Sequence, residues 1–179
     1  MPEDSGYPSG GAAPNPAAVA QLIEAAQKGS IQDIQECIDI PDVNQAMALI
    51  NGGDENGFTA LHHCAQLGQA AAGSILVECG ADTNVVDKDN NTPLHITSIH
   101  NKRLVASMLL WGGAKRDLVN NKGNTALHEA VIAESPHVIY LIVENGGEHC
   151  KDLKNKEGKT PVELAEGKQE LLDALNGEI

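Results

Sequence analysis

The sequence predicts an all-α solenoid of stacked helix pairs, and three observations carry that prediction. The phrase "TALHHC" at Thr59 returns as "TPLHIT" at Thr92, "TALHEA" at Thr125 and, weakly, "TPVELA" at Thr160, so the threonines are spaced by 33, 33 and 35 residues. A fixed period of roughly 20–50 residues marks a repeat array, whose units bury their apolar faces against one another. Turn residues keep the same phase: Asp54, Asp87, Asn120 and Asn155 stand five before each threonine, and Gly80, Gly113 and Gly146 stand twenty-one after the first three. Aromatic residues make up 2% of the chain against 41% hydrophobic in all. A core of Leu, Ile, Val and Ala suits thin, closely apposed helices rather than layers filled by rings.

Residues 1–17 form the first element, expected to be a disordered tail, because residues 2–16 hold four prolines and three glycines and no apolar periodicity. The folded domain runs over 18–179. Its first part, 18–53, is a degenerate N-terminal capping unit in which Leu22 corresponds to Leu61 and Ile23 stands where His62 would. Between its "PDVN" and Asp54 lie nine residues, "QAMALINGG", where the pattern needs two. "AMALI" is apolar enough to form a short helix against the stack, and insertions in such arrays fall in loops, often on the binding face; a merely packed loop fits equally well.

Three full units follow, 54–86, 87–119 and 120–154. Thr59 reads as an N-cap whose hydroxyl accepts an early amide hydrogen, and Pro93 suits the first helical position of the second unit. The first helix ends near Leu67 at Gly68, a second carries Ile75 and Leu76, and Gly80 supplies a left-handed exit. Turns such as "DENG" and "NNKG" return the chain as a hairpin-like finger, and Asn90 takes the glycine position in the second unit because Asn tolerates positive φ. Ser135-Pro136 opens the outer helix of the third unit, cap then first helical position. Gly73 inside an outer helix costs about 1 kcal/mol relative to alanine, which points to close approach of a neighbouring helix. In the C-terminal capping unit, 155–179, Glu163 replaces the histidine and the second helix shrinks to "QELLDAL", a polar end that shields the stack.

A 33-residue unit opening on T-P-L-H resembles the ankyrin repeat. The likeness runs from about Ala18 to Asn176, and "DENGFTALHHCAQLG…LVECGADTNVV" matches it almost without gaps. It implies about three full repeats between degenerate caps, with His62, His95 and His128 hydrogen-bonded to backbone and threonine groups and bridging adjacent units. It implies a non-catalytic protein-interaction module (scaffold, adaptor, inhibitor or assembly chaperone) that binds another protein through its concave face and finger tips. Carried onto this chain, the tips supply Glu55, Asn56 and Phe58, then Lys88, Asp89 and Asn91, then Asn121, Lys122 and Asn124; the inner helices supply Gln66, Leu67, Ile99, His100 and Ile132. Phe58, Leu67, Ile99 and Ile132 would line one apolar strip, unless Phe58 folds back on "AMALI". Asn84 stands at the finger position that dioxygenases hydroxylate in many ankyrin proteins; Asn44 in "PDVN" matches more loosely, and Asp117 takes that place in the second unit.

Chemistry at the histidines and cysteines is the rival reading. Histidines one unit apart are separated by a helix-packing distance of about 8–10 Å, too far to share a metal ion. His63 and Cys64 diverge by about 100° on a helix. "EHC" (Glu148 to Cys150), in the two-residue-longer turn of the third unit, offers a metal-dependent sensor or enzyme as the alternative, with only two good ligands. No G-x-S-x-G, P-loop, G-x-G-x-x-G or H-E-x-x-H occurs, so no catalytic residue, no metal site and no cofactor is expected.

A net charge of −13 opposes binding to nucleic acid or to anionic membrane, although an acidic surface that mimics nucleic acid is a third reading. Only residues 87–119 are net basic, with Lys102, Arg103, Lys115 and Arg116 as the local cluster. Four cysteines without a C-x-x-C pair, behind an acidic start, read as reduced thiols of a cytoplasmic or nuclear protein. "VIYLIV" is far too short to span a bilayer. A monomer is expected.

Overall fold

Residues 13–178 are described by a computed structural model. Eleven α-helices are found among them: α1 Pro16–Lys28, α2 Ile31–Ile38, α3 Val43–Ile50, α4 Ala60–Leu67, α5 Ala70–Glu78, α6 Pro93–Ile99, α7 Arg103–Trp111, α8 Ala126–Ile132, α9 Pro136–Ile142, α10 Pro161–Leu164 and α11 Gln169–Leu175. Helices α1, α4, α6, α8 and α10 form an inner row, each packed on the next, and α2, α5, α7, α9 and α11 form the outer row. No strand occurs among the described residues, and none of their helices is long and apolar enough to cross a membrane.

The period fixes the core. Leu61, Leu94 and Leu127 are buried at one register of the inner row, and Leu76, Leu109 and Ile142 at one register of the outer row. Alanines between them (Ala60, Ala65, Ala106, Ala126, Ala130) let the rows approach closely. At Gly73 a Cβ would stand 2.5 Å from the Met108 methyl of α7, so the glycine makes room for the neighbouring outer helix, as expected. Asn90 takes φ 61° and Gly68 and Gly80 take φ 83° and 99°, the left-handed values that their turn positions call for.

Three expectations are corrected here. The first helix starts at Pro16, where Asn15 caps it by accepting the Ala17 amide at 3.0 Å, so the ordered fold begins ahead of residue 18; residues 1–12 of the expected tail lie outside the described residues. The insertion forms the short helix that "AMALI" suggests, but that helix begins earlier than the sequence suggests. Asp42 caps α3 through the amides of Asn44 and Gln45, so "PDVN" opens a helix instead of forming a finger turn. Asn51, 33 residues before Asn84, takes the turn position expected of Asn44. Asn51 Oδ1 accepts the Asp82 amide at 2.7 Å, just as Asn84 Oδ1 accepts the Lys115 amide at 2.7 Å. Ser135 does precede α9, but its hydroxyl donates to the carbonyls of Ser98 and Ala133 and caps nothing.

Candidate functional site

Each full unit closes its finger with one side chain. Asp54 Oδ1 accepts the amides of Asn56 and Phe58, Asp87 Oδ1 those of Asp89 and Asn91, Asn120 Oδ1 those of Lys122 and Asn124, and Asn155 Oδ1 those of Glu157 and Lys159, all at 2.8–3.1 Å. A short side chain with an acceptor oxygen three bonds from Cα is what this turn needs, which explains Asp or Asn at the position. Successive tips are tied by main-chain bonds: Lys88 to Asn56, Asn121 to Asp89 and Lys156 to Lys122.

The histidine stands at the base of each finger. His95 Nε2 lies 2.9 Å from the Asn124 carbonyl of the next unit, while Thr92 directs its amide to Nδ1 at 3.2 Å. A carbonyl only accepts and an amide only donates, so the proton is on Nε2 and the ring is neutral. His62 repeats the geometry with Thr59 and the Asn91 carbonyl, and His128 with Thr125 and the Lys159 carbonyl. Burial pushes all three imidazoles below the ordinary histidine value, partly offset by the bonds to those carbonyls. In the last unit Glu163 accepts the Thr160 amide at 2.9 Å and reaches no further unit, which ends the series.

A second chain of bonds runs across the finger bases. Asp87 Oδ2 accepts Asn91 Nδ2, Asn91 Oδ1 accepts Asn120 Nδ2, Glu129 Oε1 accepts both Asn120 Nδ2 and Asn124 Nδ2, and Asn124 Oδ1 accepts Asn155 Nδ2. Asn124 is therefore corrected: it is 3% exposed and its amide is spent inside the stack, so it cannot meet a partner. Asn91 is half-buried for the same reason.

Fingers and inner helices enclose a groove. One hollow of about 340 Å³ lies between the first two full units, against Asp54, Phe58, His63, Gln66, Asp87 and Lys88. The next, about 240 Å³, is lined by Asn91, Ile99, Asn120, Lys122 and Glu129, and Asp89 belongs to both. Ile99 and Ile132 occupy one register of the inner row and are 39% and 52% exposed, with Leu67 one residue out of phase at 48%. Glu55, Asn56, Lys88, Asp89, Asn121 and Lys122 are exposed on the finger tips, and His100 is exposed just after α6. Gln66 is half-buried. Phe58 is not at an exposed tip but packs against the core. It is half-buried, its ring centroid 5.1 Å from that of His62 and 5.4 Å from that of His63, and so forms one wall of the first hollow. Against a burial effect that would raise it, the amides of Asn56 and Phe58 and the His63 ring hold the Asp54 carboxyl below its ordinary value.

Elsewhere the structure offers less. Among the described residues no three His, Cys, Asp or Glu side chains gather where a metal ion could be held. Cys150 is buried, its thiol 3.3 Å from the Arg116 carbonyl, and burial pushes its pKa up to about 11. Cys64 is pushed up to about 12 by the same cause, so neither is a ready thiolate. A larger hollow, about 520 Å³, lies where α3 meets α2 and α5, and none of the residues expected to bind lines it. Sequence reasoning missed Trp111, which is 84% exposed on α7 beside the exposed Leu104. Seven residues apart, the two share a face opposite the buried Val105, Ala106, Leu109 and Leu110, a spacing that could have revealed them.

A family model for ankyrin repeats, three copies, matches residues 22–118, more than half of the chain. An ankyrin repeat-containing protein of Schizosaccharomyces pombe is 44% identical over 43 residues, which are 24% of this chain and 21% of that relative. The matched stretch thus spans about a fifth of the curated relative's length.

Proposed function

This chain belongs to the ankyrin-repeat family, and from that premise we propose that it is a non-catalytic scaffold, adaptor, inhibitor or assembly chaperone that grips another protein in the groove between its finger tips and inner helices. Members of this family are in general protein-interaction modules. The observation that carries the reading is the exposed row Leu67, Ile99 and Ile132 at the ends of the inner helices, of which Ile99 lines one of the two hollows. Apolar side chains left side by side in water mark an interaction site, and a solenoid has every opportunity to bury them in its core instead. The rims are polar and the tips carry both charges, the usual surroundings of an apolar contact centre.

The test is capture of stoichiometric partners from a native lysate on the full chain and on an Ile99→Glu/Ile132→Glu double variant. Both positions are surface-exposed, so the variant should keep its helical signal and melt within a few degrees of the parent. It should lose the partner, since each introduced carboxylate would have to be desolvated in the contact. Retention of the partner by the folded double variant would refute the groove as the binding face.

A further inference from the structure

Two carboxylates are buried among the described residues, Asp87 and Glu129, and they differ in one respect. Asp87 spends both oxygens inside the stack, Oδ1 on two amides and Oδ2 on Asn91. Glu129, 5% exposed, spends only Oε1, on Asn120 at 2.8 Å and Asn124 at 2.9 Å. Its Oε2 has no partner and is not sealed in, because the one buried side-chain nitrogen or oxygen without a partner among the described residues is Arg116 Nε. No described lysine, arginine or histidine pairs with it either.

A carboxylate held at that depth without a counter-charge is costly, and the cost falls when a cation arrives. Glu129 lines the hollow of about 240 Å³ between the second and third fingers, where Ile99 forms an apolar wall and Asp89 adds an anion at the rim. We infer that this hollow is a pocket for one lysine or arginine side chain of the partner's bound segment, its aliphatic stem along Ile99 and its charge on Glu129 Oε2. This rests on the groove being the binding face, and adds the chemistry of the occupant. With a single oxygen left over, the contact is one charge-assisted hydrogen bond, which an ammonium and a guanidinium both make. Two rigid asparagine amides fix the carboxylate in place, so little ordering is left for binding to accomplish. Lys122 lines the same hollow and supplies the repulsive element that any incoming cation must displace.

The probe is a phage-displayed library of random dodecapeptides, selected on the full chain at physiological salt. Selected peptides should share a lysine or arginine at one position. Synthetic copies should bind Glu129→Gln at least about tenfold more weakly, because that variant keeps the amide oxygen for Asn120 and Asn124 but removes the charge. Replacing the shared cation by citrulline or norleucine should cause a similar loss on the unaltered protein, with no further loss when both changes are combined. That arm needs no change to the protein and stands whether or not the variant folds. Lys122→Met should tighten binding, and exchanging arginine for lysine in the peptide tells which head group the pocket prefers. Peptides without a shared cation, equal affinity for Glu129→Gln, or a library yielding no binder would overturn the pocket. If those peptides still fail on Ile99→Glu/Ile132→Glu, the groove stands and only the cation pocket falls; if they bind that variant unchanged, the groove falls with it.

Discussion

Replacing His95 by alanine isolates what one inter-unit bridge contributes. The ring is 1% exposed and serves two neighbours. Its Nδ1 is the sole acceptor for the Thr92 amide, and Thr92 is itself buried, so alanine leaves that N–H without a partner. An orphaned buried donor costs about 1–3 kcal/mol. On the other side, the Asn124 carbonyl keeps the Asn120 amide at 3.0 Å and loses only its second donor, about 0.5–1.5 kcal/mol. The vacated ring volume adds about 2 kcal/mol of lost packing, toward the low end for deletion of a large buried side chain. The sum is about 3.5–6.5 kcal/mol, read as the shift in urea midpoint at pH 7.5 at constant slope. Amide exchange at Thr92 and across the 120–124 finger should accelerate together, whereas Leu94→Ala, a buried deletion without polar partners, should leave that finger protected. A loss below about 1.5 kcal/mol, or unchanged exchange in the finger, would refute the bridge.

Acid should loosen the whole stack. Burial lowers the three bridging histidines below their ordinary 6.5, so the unfolded chain binds more protons than the folded one below that value. Their contribution is fully present above pH 6.5 and is lost as pH falls toward the lowered folded values. The slope approaches at most about 1.4 kcal/mol per pH unit for each histidine, and a urea midpoint flat between pH 7.5 and 5 would contradict it. Leu94→Ala, fully buried, should cost about 2–5 kcal/mol in the same titration. Trp111→Ala should change stability by less than about 0.5 kcal/mol and leave groove binding intact; the native tryptophan should emit at a solvent-exposed wavelength and be quenched by iodide. Asn84 from native material should carry an added mass of about 16 Da if the finger is oxygenated, and an unmodified peptide would remove that expectation.

What could be read from sequence was whatever repeats locally. The threonine, the histidine three residues later and the Asp or Asn five before the threonine all sit in one finger and helix, so their spacing alone carried the bridge and the turn. The period does single out Asn51, 33 residues before Asn84, but "PDVN" hides it by imitating a finger turn, and the bond to Asp82 in the next unit decides between them. Asn124 reads as a tip residue in sequence because its burial comes from Asn155 and Glu129, one belonging to another unit and one to the following helix. Glu129 itself looks like a solvated helix acid until the asparagines folded onto it are seen. Phe58 was placed at the tip by pattern, whereas stacking on His62 and His63 draws it inward.

The bridge from His62 reaches 29 residues ahead, as does that from His95, and that from His128 reaches 31. The two extra residues are taken up in the kinked turn Val143–Gly147 and the 3-10 turn Glu148–Asp152, away from the fingers and the histidine bridges. Growth of such a chain is therefore a matter of copying whole periods. Duplicating residues 87–119 in tandem would hand the His95 proton to the Asn91 carbonyl of the copy, and the copy's own histidine to Asn124. The carbonyls that accept from the histidines and the finger amides would keep their donors, and the groove would lengthen by one hollow. One link of the finger network would be lost: the copied Asp87 would face the Asn91 side-chain oxygen where Asn120 now donates to it. Asp87→Asn in the copy restores a donor there, so recombination plus one base-level change keeps the finger network continuous along a longer recognition surface.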